Sequence, residues 1–173
     1  MTATTTLPPA PSGSPYRLFG FPDPVDEVAA RCVAAGGLVM GIVAVVTDWT
    51  WLVALLTYGF LARVLTGPKL SPLGQLATRV VVPRLRVPAK MVPGPPKRFA
   101  QGMGLAFTAT ALGLTLAGET TAARVVLGLL IVAATLESVF AICLGCIVFG
   151  WLMRVGIVPE SVCERCNDIW AGR

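Results

Sequence analysis

"VAARCVAAGGLVMGIVAVVTDWTWLVALLTYGFLARVLTG", Val28 to Gly67, is the stretch whose reading decides the fold. Its first run is apolar apart from Arg31 and Cys32 near the start, and "TDWT" (Thr47 to Thr50) separates it from a second run. A helix needs roughly twenty residues to cross a bilayer, and this span is about twice that. It reads as two membrane-crossing helices joined by a very tight turn, with Asp48, Trp49 and Trp51 at headgroup level.

Downstream the pattern repeats. Ala100 to Ala117 is a third apolar run, "GETTAAR" a second short turn, and a fourth run starts near Ala122 and extends to Met153, interrupted by Glu137 and Ser138. At about 1.5 Å per residue the fourth run would be on the order of 45 Å long, more than a hydrocarbon core of roughly 30 Å, so it is expected to project beyond the bilayer. The composition agrees: 55% apolar and 13% charged, where a soluble domain carries about a quarter charged residues. The expected fold is an all-α membrane protein with four transmembrane helices arranged as two hairpins.

The boundaries follow. Residues 1–27 form a Thr/Pro/Ser-rich flexible tail, 28–66 the first hairpin, 67–99 a basic loop, 100–154 the second hairpin and 155–173 a C-terminal tail. Lys69, Arg79, Arg84, Arg86, Lys90, Lys97 and Arg98 all fall in the basic loop, while the two tight turns carry only Arg124. Short loops rich in Lys and Arg stay inside, which places that loop and both termini in the cytoplasm. Between apolar runs such a charge cluster records orientation, and nucleic acid is not an expected partner. In the loop, "SPLGQLATRVVVP" reads as a short interfacial helix with Ser71 as N-cap and Pro72 in its first turn. Arg31 and Arg98 each lead a small-residue-rich helix, a loose match between the halves. "GLVMG" (Gly37 to Gly41) is a close-approach pattern that reads as intramolecular packing.

Histidine is absent, which excludes imidazole catalysis and His-ligated zinc. The chemistry-bearing residues are the cysteines. Cys143 and Cys146 form one C-x-x-C near the inner end of the fourth run, Cys163 and Cys166 form another in the tail, and Cys32 begins the first helix. All five lie on the cytoplasmic side, where structural disulfides are rare.

Three readings stay open. A dithiol site would have Cys143 and Cys146 as the redox pair, Cys32 as auxiliary, and Gly145 leaving room for a partner's sulfur; it would trade electrons or sulfane sulfur with a soluble thiol protein. A four-cysteine zinc or iron site, C-x2-C-x16-C-x2-C, would use Cys143, Cys146, Cys163 and Cys166 to pin the tail of a structural or accessory subunit of a membrane complex or homo-oligomer. In the third, the cysteines are small hydrophobes packed without chemistry. Glu137, an acid within an apolar run, requires a buried partner, and depth counting from the helix starts pairs it with Arg63.

"VDEVAARCVAA", "PKLSPLGQLA", "PPKRFAQGMGLAFT" and "LESVFAICLGCIVF" together resemble the bacterial integral membrane family catalogued as domain of unknown function 4395. The resemblance spans roughly Pro22 to Trp151. It implies a four-helix membrane protein whose shared cysteines map onto Cys143 and Cys146. Genes of that family tend to lie beside thioredoxin-like and sulfurtransferase genes, so it also implies thiol or sulfur handling. The "CERC" of the tail lies outside it.

Overall fold

The structure, a computed structural model, describes residues 21–159 and Val162 of the 173-residue chain. After β1 (Val25–Asp26) come α1 (Glu27–Thr47) and α2 (Thr50–Thr66). The basic segment holds three helical pieces: α3 (Pro72–Leu76), a π-helical turn at Ala77–Val81 and α4 (Val82–Leu85). β2 (Met91–Val92) precedes α5 (Gly94–Leu116), α6 (Thr120–Phe140) and α7 (Leu144–Arg154). Four helical stretches are long and apolar enough to cross a membrane: α1, α5, α6 and the run Thr50–Leu85 that begins with α2. The protein is all-α and membrane-embedded.

Local chemistry sets the helix ends. Asp26 caps α1 by accepting the Val28 N–H at 2.9 Å, and Glu27 occupies the first turn, where the helix dipole favours an acid. Ser71 caps α3, its hydroxyl accepting the Gly74 N–H at 3.3 Å, with Pro72 in the first turn as the sequence predicts. α3 and the π-helical turn lie against α1.

α1 packs chiefly on α6, and α2 chiefly on α5, which also touches α6 and α7. Ala44, Leu52, Val53, Ala111, Leu127 and Leu130 form the main core. The outward faces are apolar, with Val46 at 76% and Leu116 at 73% exposure, as a lipid-facing surface requires. Gly41 serves close packing, since a Cβ there would lie 3.2 Å from Ile131 of α6. At Gly37 the same atom would meet nothing within 4 Å, so only one end of the Gly37–Gly41 pattern is a contact.

Two links relate the halves. β1 pairs antiparallel with β2, Val25 opposite Val92. Arg31 of α1 donates to the carbonyls of Ser138 (3.0 and 3.2 Å) and Val139 (3.3 Å) in the last turn of α6, while Arg98 of α5 donates to Val64 (3.1 Å) in the last turn of α2. A cation at a helix C-terminus satisfies orphan carbonyls and complements the dipole.

Two expectations need correction. The fourth apolar run is not one long helix. α6 ends at Phe140, Ala141 turns left-handed (φ 58°), the Ile142 N–H returns to the Leu136 carbonyl at 2.9 Å, and α7 starts afresh. The other concerns α5, which begins at Gly94 instead of Ala100. Pro95 and Pro96 sit in its first turn, where a missing N–H costs nothing, and Lys97 and Arg98 are thereby drawn into the helix.

Candidate functional site

The break after α6 determines where the thiols stand. Cys143 is extended (φ −93°, ψ 100°) and is the N-cap of α7, its sulfur accepting the Cys146 N–H at 3.4 Å. Cys146 falls in the first turn. The two sulfurs are 2.7 Å apart and both thiols are free. A disulfide spans about 2.05 Å, so a shift of under about 1 Å separates this arrangement from a bonded one. The sequence places the pair on a continuous helix; instead it caps one, where backbone N–H groups point outward and favour a negative sulfur.

α7 is fixed on α5. A Cβ at Gly145 would fall 2.5 Å from both Cα and Cβ of Ala100, so only glycine allows this approach. Phe99 and Phe149 pack nearby with their rings tilted by 56° and centroids 5.7 Å apart. The room that Gly145 was expected to leave for a partner's sulfur is therefore taken by α5. The accessible side of the motif is elsewhere: Ile142 and Leu144 are exposed, while Cys143 and Cys146 are half-buried.

Beneath the thiols lies a buried polar cluster. Lys97 Nζ sits 2.8 Å from Glu137 Oε1, with side chains 8% and 15% exposed. This ammonium and carboxylate act electrostatically on both sulfurs. Arg63, 5% exposed, donates from Nε to Gln101 Oε1 (2.8 Å) and from Nη1 to Ser71 Oγ (3.1 Å), and its guanidinium lies 4.3 Å from the centre of the Phe60 ring. A cavity of about 90 Å³ is bordered by Arg63, Gln101, Glu137, Cys143 and Gly37, and a neighbouring one of about 200 Å³ by Arg63, Gln101, Lys97 and Thr78.

The expected Arg63–Glu137 pair is not a direct contact: Lys97 holds the carboxylate at 2.8 Å, and Glu137 acts on Arg63 only electrostatically. Depth counting put the two at one level, and both do border one cavity. Lys97 is the partner because α5 begins early enough to bury it against the last turn of α6. Lys97, Gln101 and the capping role of Arg31 were missed; the usable signal was Pro95-Pro96 just ahead of Lys97, a helix-start pattern. Cys32, on α1, makes no hydrogen bond to the pair. Cys163 and Cys166 lie outside the described residues, and so does the four-sulfur site. Among the described residues no three His, Cys, Asp or Glu side chains cluster to hold a metal.

Chemically, the arrangement is a close dithiol at a helix start, with one cation and one carboxylate near it. It suits reversible disulfide formation and proton exchange at sulfur.

Residues 25–154 match the model of a family described as domain of unknown function (DUF4395). Searches of curated proteins and of solved structures returned no match.

Proposed function

The chain belongs to that family, and we propose that it is a dithiol module of the bacterial inner membrane, exchanging electrons or sulfane sulfur with a soluble cytoplasmic thiol protein. The observation that carries this reading is the 2.7 Å separation of the Cys143 and Cys146 sulfurs at the N-terminus of α7. In the proposed orientation the basic segment and both termini face the cytoplasm. Its support is that Lys69, Arg79, Arg84, Arg86, Lys90 and Arg98 stay exposed at one end of the bundle, the end of the thiols. The helices then form two hairpins, and α3 with its continuation lies along the inner membrane surface.

In the electron-transfer step the Cys143 thiolate attacks one sulfur of the partner's disulfide. A mixed disulfide forms and one partner thiolate leaves. The Cys146 thiolate then attacks the Cys143 sulfur, closing the intramolecular disulfide and releasing the second partner thiolate. Two electrons pass to the partner, and the two thiol protons end on its sulfurs. Running backward, the sequence reduces the module. With a persulfide partner, the Cys143 thiolate takes the outer sulfur as Cys143–S–SH, and the partner leaves as its thiolate. Lys97 holds negative charge at the sulfur during either attack, and Glu137 orients Lys97.

Differential alkylation with mass detection, on membranes treated with diamide or with a reductant, tests the proposal. Cys143 and Cys146 are expected to switch together. A pair that never changes state sinks it. About one zinc per purified chain, lost in Cys143→Ser, would instead assign the sulfurs to a structural metal.

A further inference from the structure

Arg31 reaches the two carbonyls on which the thiol geometry depends. In an uninterrupted α-helix each N–H returns to the carbonyl four residues back. α6 would therefore run on through the cysteines if Ser138 received the Ile142 N–H and Val139 that of Cys143. Arg31 of α1 engages both carbonyls instead: its Nε and Nη2 lie 3.2 and 3.0 Å from the Ser138 oxygen, and its Nη2 lies 3.3 Å from that of Val139. The Ile142 N–H goes back to Leu136, Ala141 turns left-handed, and Cys143 opens α7 in an extended conformation.

The break decides how far apart the sulfurs stand. Residues three apart on a continuous helix hold their Cβ atoms about 5–6 Å apart, whereas a disulfide needs about 3.5–4.5 Å. The cap conformation brings the two sulfurs to 2.7 Å and lets the Cys143 sulfur accept the Cys146 N–H. We propose that Arg31 is a positioning residue for the dithiol: by engaging the carbonyls of Ser138 and Val139 it stops α6 short of Cys143 and makes a Cys143–Cys146 disulfide attainable. A guanidinium suits the task, because its charge-assisted hydrogen bonds outweigh those that two backbone N–H groups would make to the same oxygens. The charged groups acting on the sulfurs are Lys97 and Glu137, so the influence of Arg31 runs through the backbone of α6.

This inference rests on the dithiol reading, and its test separates the two. The full chain with Cys32, Cys163 and Cys166 replaced by serine is equilibrated in detergent with mixtures of glutathione and glutathione disulfide. Alkylation with mass detection then counts the oxidised pair. In the step measured, the two cysteine thiols give up two electrons and two protons, and glutathione disulfide leaves as two glutathione thiols. Arg31→Met is expected to shift the equilibrium constant about tenfold or more toward the dithiol, because helical spacing must be undone before the bond forms. Arg31→Met/Ala141→Gly is expected to recover most of that loss, since glycine takes the left-handed turn unaided. Arg98→Met, which removes the corresponding cap of α2, leaves the equilibrium unchanged. Should Arg31→Met fail to fold, Arg31→Lys takes its place. It gives a smaller shift in the same direction, because an ammonium lacks the rigid fork, and Ala141→Gly again reverses it. An unchanged equilibrium in the Arg31 variant overturns the inference, as does an equal shift in Arg98→Met or a shift that Ala141→Gly does not reverse. A parent chain that forms no disulfide overturns the dithiol reading itself, and this inference with it.

Discussion

Arg31 and Arg98 occupy matching places in the two halves of the chain, and each caps the last turn of a helix in the other half. The same offset of 67 residues (92 less 25, 98 less 31) relates Val25 to Val92, which face each other across the strand pair. The two caps differ in strength. Arg31 is half-buried and reaches two carbonyls, whereas Arg98 is exposed and reaches one. Arg31→Met should therefore destabilise by about 1–2 kcal/mol and Arg98→Met by less than about 1 kcal/mol. Thermal unfolding in detergent distinguishes them, and equal effects would contradict the assignment.

Gly145→Ala forces a methyl to within 2.5 Å of the Ala100 backbone, an atom that cannot step aside. The expected cost is about 1–3 kcal/mol. Gly150→Ala is the matched control, since a Cβ there meets nothing within 4 Å. It should be neutral or mildly stabilising by the same unfolding measurement.

Removing one member of the Lys97–Glu137 pair strands a buried charge. Lys97→Met or Glu137→Leu alone should cost about 3–5 kcal/mol, and the double substitution should recover most of it. Additive single and double effects would mean that the two do not interact.

At the opposite end of the bundle, Arg124 hydrogen-bonds Asp48 across the turn between α1 and α2, with Nε 3.0 Å from Oδ1. That hydrogen bond holds the Asp48 carboxyl below the usual carboxylate range. A carboxyl lowered in the folded state contributes its full stabilisation above the unfolded value of about 3.9 and loses it as acid protonates it through the lowered value. The wild-type minus Asp48→Asn difference in stability should be flat from neutral pH to about pH 5 and vanish under strong acid. Both groups are exposed, so the difference should be small and should shrink toward 1 M salt.

The four spanning segments, the turn at Asp48 and the Ser71 cap were legible because each rests on a local signal: a run of apolar residues, a charged interruption, a hydroxyl before a proline. The end of α6 was not. Ala141-Ile142-Cys143 holds no glycine or proline, and a left-handed alanine has no signature in composition. Its position is set by tertiary contacts, with Arg31 drawing the last carbonyls of α6 aside and Gly145 seating α7 on α5. The partner of Glu137 was hidden for a related reason. Lys97 belongs by composition to a basic loop, and only the early start of α5 makes it an interior residue. Gln101, neutral and unremarked, is visible only once Arg63 is seen to need an acceptor.

The packing of α1 on α6 and of α2 on α5 has a consequence for biosynthesis. When the first two helices leave the ribosome, their main neighbours have not been translated. Arg31 enters the bilayer before Ser138 exists to receive it, and Arg63 before Gln101. Until the second half emerges these cations need shelter from water or from the insertion machinery, so slow elongation across residues 67–120 would prolong the interval in which the nascent chain is most open to quality-control proteolysis.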